Sequence, residues 1–328
     1  MPIRGSDRVS ARPASDPKRS QLGTRLDACL DAAEGVLSGH TVRALRSDLA
    51  RFAAWCAERG VRPLPARAGT VAAYIEAAAA GRATGTVRRY LSSIASAHRS
   101  AGEASPAEDA AVQRALKRVC RRRGCRPAQA LGLTWTLRRR LIAAAGERTI
   151  DARNRAMLAV AYDAMLRRSE LVALQVDDLL TDRSGSASLL VRRAKTDPEG
   201  GGAMLYLHRD TIRLVRAWLD ASGIGAGPLF RSVRRNGTLG GALPESQVPR
   251  IYKAMAERAG LKAEEVRRIA GHSPRVGAAQ DMIASGIGVP AIMQAGRWRS
   301  ASMVQRYGER LLPKRNGAAQ LARLQRRR

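Results

Sequence analysis

The sequence predicts a mainly α-helical protein of two domains with one small antiparallel β-sheet. Three observations lead there. The chain has 328 residues, enough for two hydrophobic cores. Most apolar stretches repeat at helical spacing. Two short strand-like runs stand next to each other in the second half, and helical runs do not alternate with strands as a βαβ fold would require.

Residues 1–24 are rich in Arg, Ser, Pro and Asp without apolar periodicity, and read as a disordered basic arm. Residues 25–122 read as a helical domain. In "SGHTVRALRSDLARFAAWCAERG", Val42, Leu45, Leu49, Phe52, Ala53 and Cys56 fall on one face, with Ser38 as N-cap and Gly60 as stop. "TVAAYIEAAAAG" (Thr70–Gly81) is a second helix. "TGTVRRYLSSIASAHRSAG" is a third, with Val87, Leu91, Ile94 and Ala95 inward and Arg88, Arg89, Ser92 and Ser93 outward. "SPAEDAAVQRALKRVCRRRG" is a fourth, with Ser105 as cap, Pro106 in the first turn and Glu108 closing a capping box. Gly, Pro and a basic run make residues 123–133 a linker.

Residues 134–328 form the second domain. "TWTLRRRLIAAAG" and "DARNRAMLAVAYDAML" are helical, and "SASLLVRRAK" and "AMLYLHRD" are strands joined by "TDPEGGG". Asp210 is the expected cap of "TIRLVRAWLDASG", and the remainder is expected to be mostly helical to the end.

The charge narrows the function. The chain carries 58 Lys+Arg against 28 Asp+Glu, a formal net charge of +30. That excess calls for a polyanionic partner, nucleic acid first, with a ribosome-bound or merely very basic protein as the plainer alternative. Arginine outnumbers lysine, which suits bidentate phosphate contacts. The four cysteines have no zinc spacing and read as reduced cytosolic thiols, so neither metal nor cofactor is expected. No apolar run reaches the length of a membrane span and no signal-peptide core opens the chain, so a cytoplasmic location on DNA is expected.

"AGHSPRVGAAQDM" (Ala270–Met282) carries the chemistry. Ser273 is a candidate cap and Pro274 suits the first helical position. His272 and Arg275 then stand at a helix mouth, where free N–H groups and the dipole favour an anion. "AYDAMLRRSELVALQVDDL" places Arg167 just after an apolar helix and Glu170 three residues on. "RRAKTD" puts Lys195 at a strand end, and "AGRWRSASMVQRYGER" supplies Trp298 and Tyr307.

In this order and at these separations the set resembles the tyrosine recombinases, the phage-integrase family. "HSPRVGAAQDM", "IMQAGRW" and "RRAKT" are similar to one member in detail, and the likeness runs from about residue 38 to 325. Arg297, where that member has a glycine, and Arg168, at an apolar position, depart from it.

The resemblance implies a two-domain clamp around duplex DNA and metal-free strand exchange. Tyr307 would be the nucleophile, Arg167 and Arg275 the grip on the phosphate oxygens, Lys195 the acid for the 5′ oxygen, His272 a proton acceptor and donor, Trp298 an N–H donor and Glu170 an orienting group. It also implies inverted-repeat target sites and a homotetramer holding two of them. The tail helix, with Ala318, Leu321 and Leu324 on one side, would dock on a neighbouring protomer. By the same likeness Arg88, Arg89 and Arg250 face the major groove, Arg250 just ahead of the helix "IYKAMAERAG", while Arg43 and Arg235 contact the DNA backbone. A type IB topoisomerase and a catalytically dead DNA-binding or architectural protein are the rival readings.

Overall fold

The structure is a computed structural model that describes residues 38–126, 128–181, 187–192, 201–309, 311 and 316–325. The expected N-terminal arm lies outside the described residues. The chain divides into two compact units, residues 1–128 and 129–328.

The first unit is a helical bundle. Helix α1 (Gly39–Ala57) starts where Ser38 accepts a hydrogen bond from the Thr41 N–H, as its sequence predicts. Its buried face is Val42, Leu45, Leu49, Phe52 and Cys56. Helix α2 (Ala68–Gly81) supplies Val71, Tyr74 and Ile75, and α3 (Thr84–Ser100) supplies Val87, Tyr90, Leu91 and Ile94. The Phe52 and Tyr74 rings meet at 4.9 Å in this core.

Two expectations fail here. The Ser105 cap serves only a 3₁₀ turn, Pro106–Glu108, and Glu108 closes no capping box. Asp109, four residues after Ser105, is extended and caps the true helix α4 (Ala110–Arg123) by accepting from the Ala111 N–H at 2.7 Å. Ser93 does not face outward either: it is buried and donates to Asp48 at 3.0 Å.

The second unit is built on helix α6 (Thr149–Asp163), in which Ala156 to Ala161 are fully enclosed. It is preceded by α5 (Trp135–Ala143) and followed by the short α7 (Arg168–Ala173). The expected hairpin is present as β2 (Ala187–Val191) against β3 (Ala203–Leu207), antiparallel, with Leu189 opposite Leu205. Ala187, Leu189 and Val191 alternate inward. A third strand, β1 (Leu179–Thr181), extends this sheet, and β4 (Arg231–Val233) with β5 (Leu239–Ala242) makes a second hairpin in a region expected to be mostly helical. Strands this short present too few alternations to register as a pattern.

Helix α8 (Arg209–Ser222) is capped by the His208 side chain, which accepts from the Asp210 N–H, rather than by Asp210. It buries Trp218, whose indole donates to the Leu229 carbonyl at 2.8 Å. Helix α9 (Gln247–Arg258) begins before Arg250, so that arginine lies inside the helix rather than ahead of it. The chain continues through α10 (Ala263–Arg267), α11 (Ser273–Ala284), α12 (Val289–Gly296), α13 (Ser302–Gly308) and α14 (Gly317–Leu324). No helix among the described residues is long and apolar enough to cross a membrane.

Candidate active site

Four short segments of the second unit converge. The first is the turn that ends α6 and opens α7. Met165 takes a left-handed conformation at φ 47°, which swings the chain so that Arg167 sits at the N-cap of α7. Glu170, one turn in, folds its carboxylate back onto that start. Oε2 accepts from the Arg167 backbone N–H at 2.9 Å, and Oε1 accepts from Arg167 Nη1 at 2.6 Å. Glu170 is only 4% exposed, so this pairing is the condition for keeping its charge inside the fold. The three-residue spacing of Arg167 and Glu170 is therefore what fixes the guanidinium.

The second segment is the start of α11. Pro274 occupies its first turn as expected, but Ser273 is not the cap. The Ser273 hydroxyl accepts from the Ala270 N–H at 2.9 Å, and His272 occupies the cap position with no side-chain cap bond. Ser273 is wholly buried, so its hydroxyl closes the preceding turn instead of the helix mouth. Arg275 follows in the first turn of the helix, 3% exposed. Its Nη1 donates to the Met165 carbonyl and its Nη2 to the Gly296 carbonyl. Burial first, and then the nearby Arg167 and Arg297, lower its pKa to about 10, so it stays cationic at neutral pH.

Helix α11 comes this close to the start of the unit because Gly277 has no side chain. A Cβ there would stand 2.1 Å from the Leu133 carbonyl oxygen.

The third segment is the end of α12. Arg297 is left-handed at φ 50°, ψ 48°, a conformation that costs a non-glycine residue about 1–2 kcal/mol. Its Nη2 donates to Glu170 Oε2, so one buried carboxylate holds two arginines. Trp298 follows, its ring 4.8 Å from the Arg275 guanidinium carbon.

The fourth segment is α13, which carries Tyr307. Its ring centroid is 5.5 Å from that of Trp298, with the planes at 58°. Tyr307 is 9% exposed and packs with Met165, Val276, Ala278 and Ala279. Burial raises its phenol pKa, against the opposing pull of the cationic Arg275, Arg306 and Arg167. His272 is exposed at its outer edge. Surrounding protein, then Arg306, Arg275 and Arg168, push its pKa down, so the ring is neutral and able to accept a proton at physiological pH.

Arg167, Glu170, His272, Arg275, Trp298 and Tyr307 thus share one locality. Lys195 lies outside the described residues. Sequence reasoning treated Arg297 only as a departure from a glycine and did not consider Arg306; neither carries a motif signal that marks it as part of the site. No cluster of His, Cys, Asp or Glu able to hold a metal ion occurs among the described residues.

The arginines expected at DNA are exposed on both units. Arg43 lies on α1 with Nη2 3.0 Å from His40 Nδ1, and Arg88 on α3 donates to the sulfurs of Cys120 and Cys125, each at 3.4 Å. Arg235 sits in the β4–β5 turn and Arg250 on the first turns of α9. Arg89 is half-exposed but anchored. Its Nε and Nη2 grip both oxygens of the buried Asp48, at 2.9 and 2.8 Å. Asp48 is a residue the helical pattern did not single out.

Comparison with known proteins matches this architecture in both units. The model of the phage integrase family matches residues 133–311, and that of the phage integrase N-terminal SAM-like domain matches residues 32–103. The chain is 31% identical to recombinase Cre of Escherichia phage P1 over 287 residues, 82% of this chain and 84% of that protein. It is 32% identical to an integrase/recombinase XerD homolog of Selenomonas ruminantium over 281 residues, 82% of this chain and 81% of that one. Among solved structures, a lambda integrase tetramer bound to a Holliday junction shares the fold with a TM-score of 0.59 at 16% identity, covering 91% of this chain and 82% of that one. The XerH recombinase in its pre-cleavage complex with difH shares it at 0.57 and 15% identity, covering 88% and 81%. With both family models matched and nearly a third of its residues identical to Cre over most of both proteins, the chain belongs to the phage integrase family of tyrosine recombinases.

Proposed function

We propose that this protein is a site-specific recombinase that breaks and rejoins DNA through a covalent 3′-phosphotyrosine. The observation that supports this most directly is the grouping of Arg167, Arg275, Trp298 and Tyr307 in one locality, with the two guanidinium charges favouring the phenolate against the burial that raises its pKa.

Cutting a phosphodiester without a metal needs a nucleophile, neutralisation of the phosphate oxygens and a proton for the leaving group. Tyr307 Oη attacks the phosphorus while His272 accepts the phenolic proton. The new P–O bond to tyrosine forms as the P–O5′ bond breaks, and Lys195, placed here by resemblance, protonates the departing 5′ oxygen. Arg167 and Arg275 bind the non-bridging oxygens as charge builds on them. Reversal with a 5′-hydroxyl from a second duplex rejoins the strand and restores the tyrosine. The phosphotyrosine keeps the bond energy, so no ATP is required.

The expected partner is duplex DNA with inverted repeats, gripped by the two units and held by a tetramer on two sites. Leu321 and Leu324 on the last helix are 49% and 82% exposed, which supports docking of that helix on a neighbouring copy. The setting is the cytoplasm of a bacterium, at its own or phage DNA.

The test uses a pool of nicked duplexes of random sequence. The nick lets a short fragment diffuse away after cleavage and traps the protein on its DNA. Adducts that survive SDS and EDTA, and vanish in Tyr307→Phe, are the expected result. Absence of any adduct would favour the dead-site reading. Adducts with plasmid relaxation by a monomer, and no junction formed between two sites, would favour a topoisomerase.

A further inference from the structure

Arg297 belongs to none of the roles just assigned, yet it lies at their centre. It and Met165 are the two non-glycine residues with positive φ among the described residues, and both border this site. Where glycine would fit such a backbone without strain, the chain carries its bulkiest cation. The guanidinium is nearly enclosed, and its Nε–H is buried without an acceptor. Packing alone does not account for a strained, desolvated arginine with an unused donor.

What Arg297 reaches is specific. Nη2 donates to Glu170 Oε2, the same oxygen that takes the Arg167 backbone N–H, and Nη1 is 3.5 Å from the Ala164 carbonyl. Glu170 Oε1 is left to Arg167 Nη1. The carboxylate is therefore pinned on one side by Arg297 and presents its other oxygen to Arg167. Arg297 also ties segment 296–298 to segment 164–170, the two walls that Arg275 spans from Met165 to Gly296.

We propose that Arg297 is a positioning residue for strand cleavage: by fixing the Glu170 carboxylate it holds Arg167 in the orientation that receives the phosphate. This rests on the recombinase reading above. Without Arg297, Glu170 Oε2 keeps a single backbone donor, the carboxylate can turn, and Arg167 turns with it. Arg297 also adds a third positive charge against one carboxylate, where an incoming phosphodiester and a developing phenolate bring two negative ones.

The experiment compares wild type, Arg297→Gly, Arg297→Lys, Glu170→Gln and the Arg297→Gly/Glu170→Gln double variant. The probe is a nicked duplex recovered as an adduct with wild-type protein from the random pool. Glycine suits φ 50°, so Arg297→Gly is expected to fold and to bind the duplex with wild-type affinity. Its single-turnover rate of adduct formation at saturating DNA should fall on the order of tenfold to a hundredfold, the scale of a misplaced reacting group. Arg297→Lys should recover part of that rate, since an ammonium can still reach one carboxylate oxygen. In the Glu170→Gln background, removing Arg297 should cost little more.

An Arg297→Gly rate equal to wild type overturns the inference. So does a loss that tracks DNA affinity or melting temperature, or a full additional loss in the double variant. Failure of the wild type to form any adduct overturns the recombinase reading, and this inference with it.

Discussion

The Arg275 guanidinium carbon lies 4.8 Å from the centroid of the Trp298 ring, and its two Nη groups donate to two separate segments, at the carbonyls of Met165 and Gly296. The arginine is thus a strut between two backbone segments before any DNA arrives, and the tryptophan is the floor it rests on. The same ring faces Tyr307, so displacement of Arg275 would reach the nucleophile through one intervening side chain.

Arg275→Lys keeps the charge and discards the strut. A lysine has one ammonium where the arginine has a planar fork with five donors. The single-turnover rate of adduct formation should fall roughly 100-fold or more, the usual cost of a preorganised donor. Binding of the nicked duplex in a gel-shift assay should change far less.

The pH dependence of stability should carry the mark of His272. Its folded pKa lies below the ordinary histidine value, because surrounding protein and three guanidinium groups oppose protonation. Between the folded pKa and the ordinary value near 6.5, the unfolded chain binds the proton and the folded chain does not. Stability therefore falls as pH drops through that window. Urea unfolding at pH 7.5 and pH 5 should show a larger loss for wild type than for His272→Gln. Equal losses would mean that His272 is as easily protonated folded as unfolded.

The helices were legible because their signal is local. Val42, Leu45, Leu49 and Phe52 announce a buried face through spacing alone, and Pro274 announces a helix start. Family membership was legible because Arg167, His272, Arg275, Trp298 and Tyr307 keep their order and separations. What stayed hidden depends on distant neighbours. Asp48 and Arg89 are 41 residues apart, and Glu170 and Arg297 are 127 apart. No window of sequence holds both partners. The caps failed for a different reason: Ser273 and Asp210 are good capping residues with a rival one or two positions earlier, His272 and His208, and backbone geometry decides between them.

DNA recognition should separate Arg89 from Arg43. Arg89→Ala is expected to relax sequence preference, and the Asp48 pairing adds a second effect. The buried carboxylate would keep only Ser93 among the side chains that now bond it, a loss of about 1–3 kcal/mol. The variant should melt several degrees lower as well as bind less selectively. Arg43→Ala should weaken all sequences alike and reduce the salt dependence of binding, at an unchanged melting temperature. Competition binding against scrambled duplexes at two salt concentrations, with thermal melts alongside, checks both. Equal losses of affinity on every sequence for the two variants would remove the distinction.

Assembly should depend on the last helix. Leu321→Gln and Leu324→Gln alter side chains that are exposed in the single chain, so the melting temperature should hold. If the helix docks on a neighbour, these variants should still bind one site yet form fewer complexes containing two duplexes, measured by sedimentation of protein mixed with the selected DNA. An undiminished yield of such complexes would place the leucines outside the interface.

Two glycines set limits on how the site can be altered, and they should fail differently. A Cβ on Gly277 would meet the Leu133 carbonyl oxygen and carbon and the Thr134 nitrogen at 2.1–2.6 Å. All three are backbone atoms that cannot move without parting α11 from the start of the unit. Gly277→Ala should therefore be severely destabilising, by about 4 kcal/mol or more, and poorly soluble. A Cβ on Gly296 would first meet the Trp298 ring, at 2.6–2.7 Å. A side chain can turn where a backbone cannot, so Gly296→Ala should fold. The displaced indole would withdraw support from Arg275 and shift against Tyr307, and the adduct rate should fall while DNA binding persists. A Gly296→Ala protein with full cleavage activity would show that Trp298 does not need its present position, and the link from Arg275 to the nucleophile through that ring would be lost.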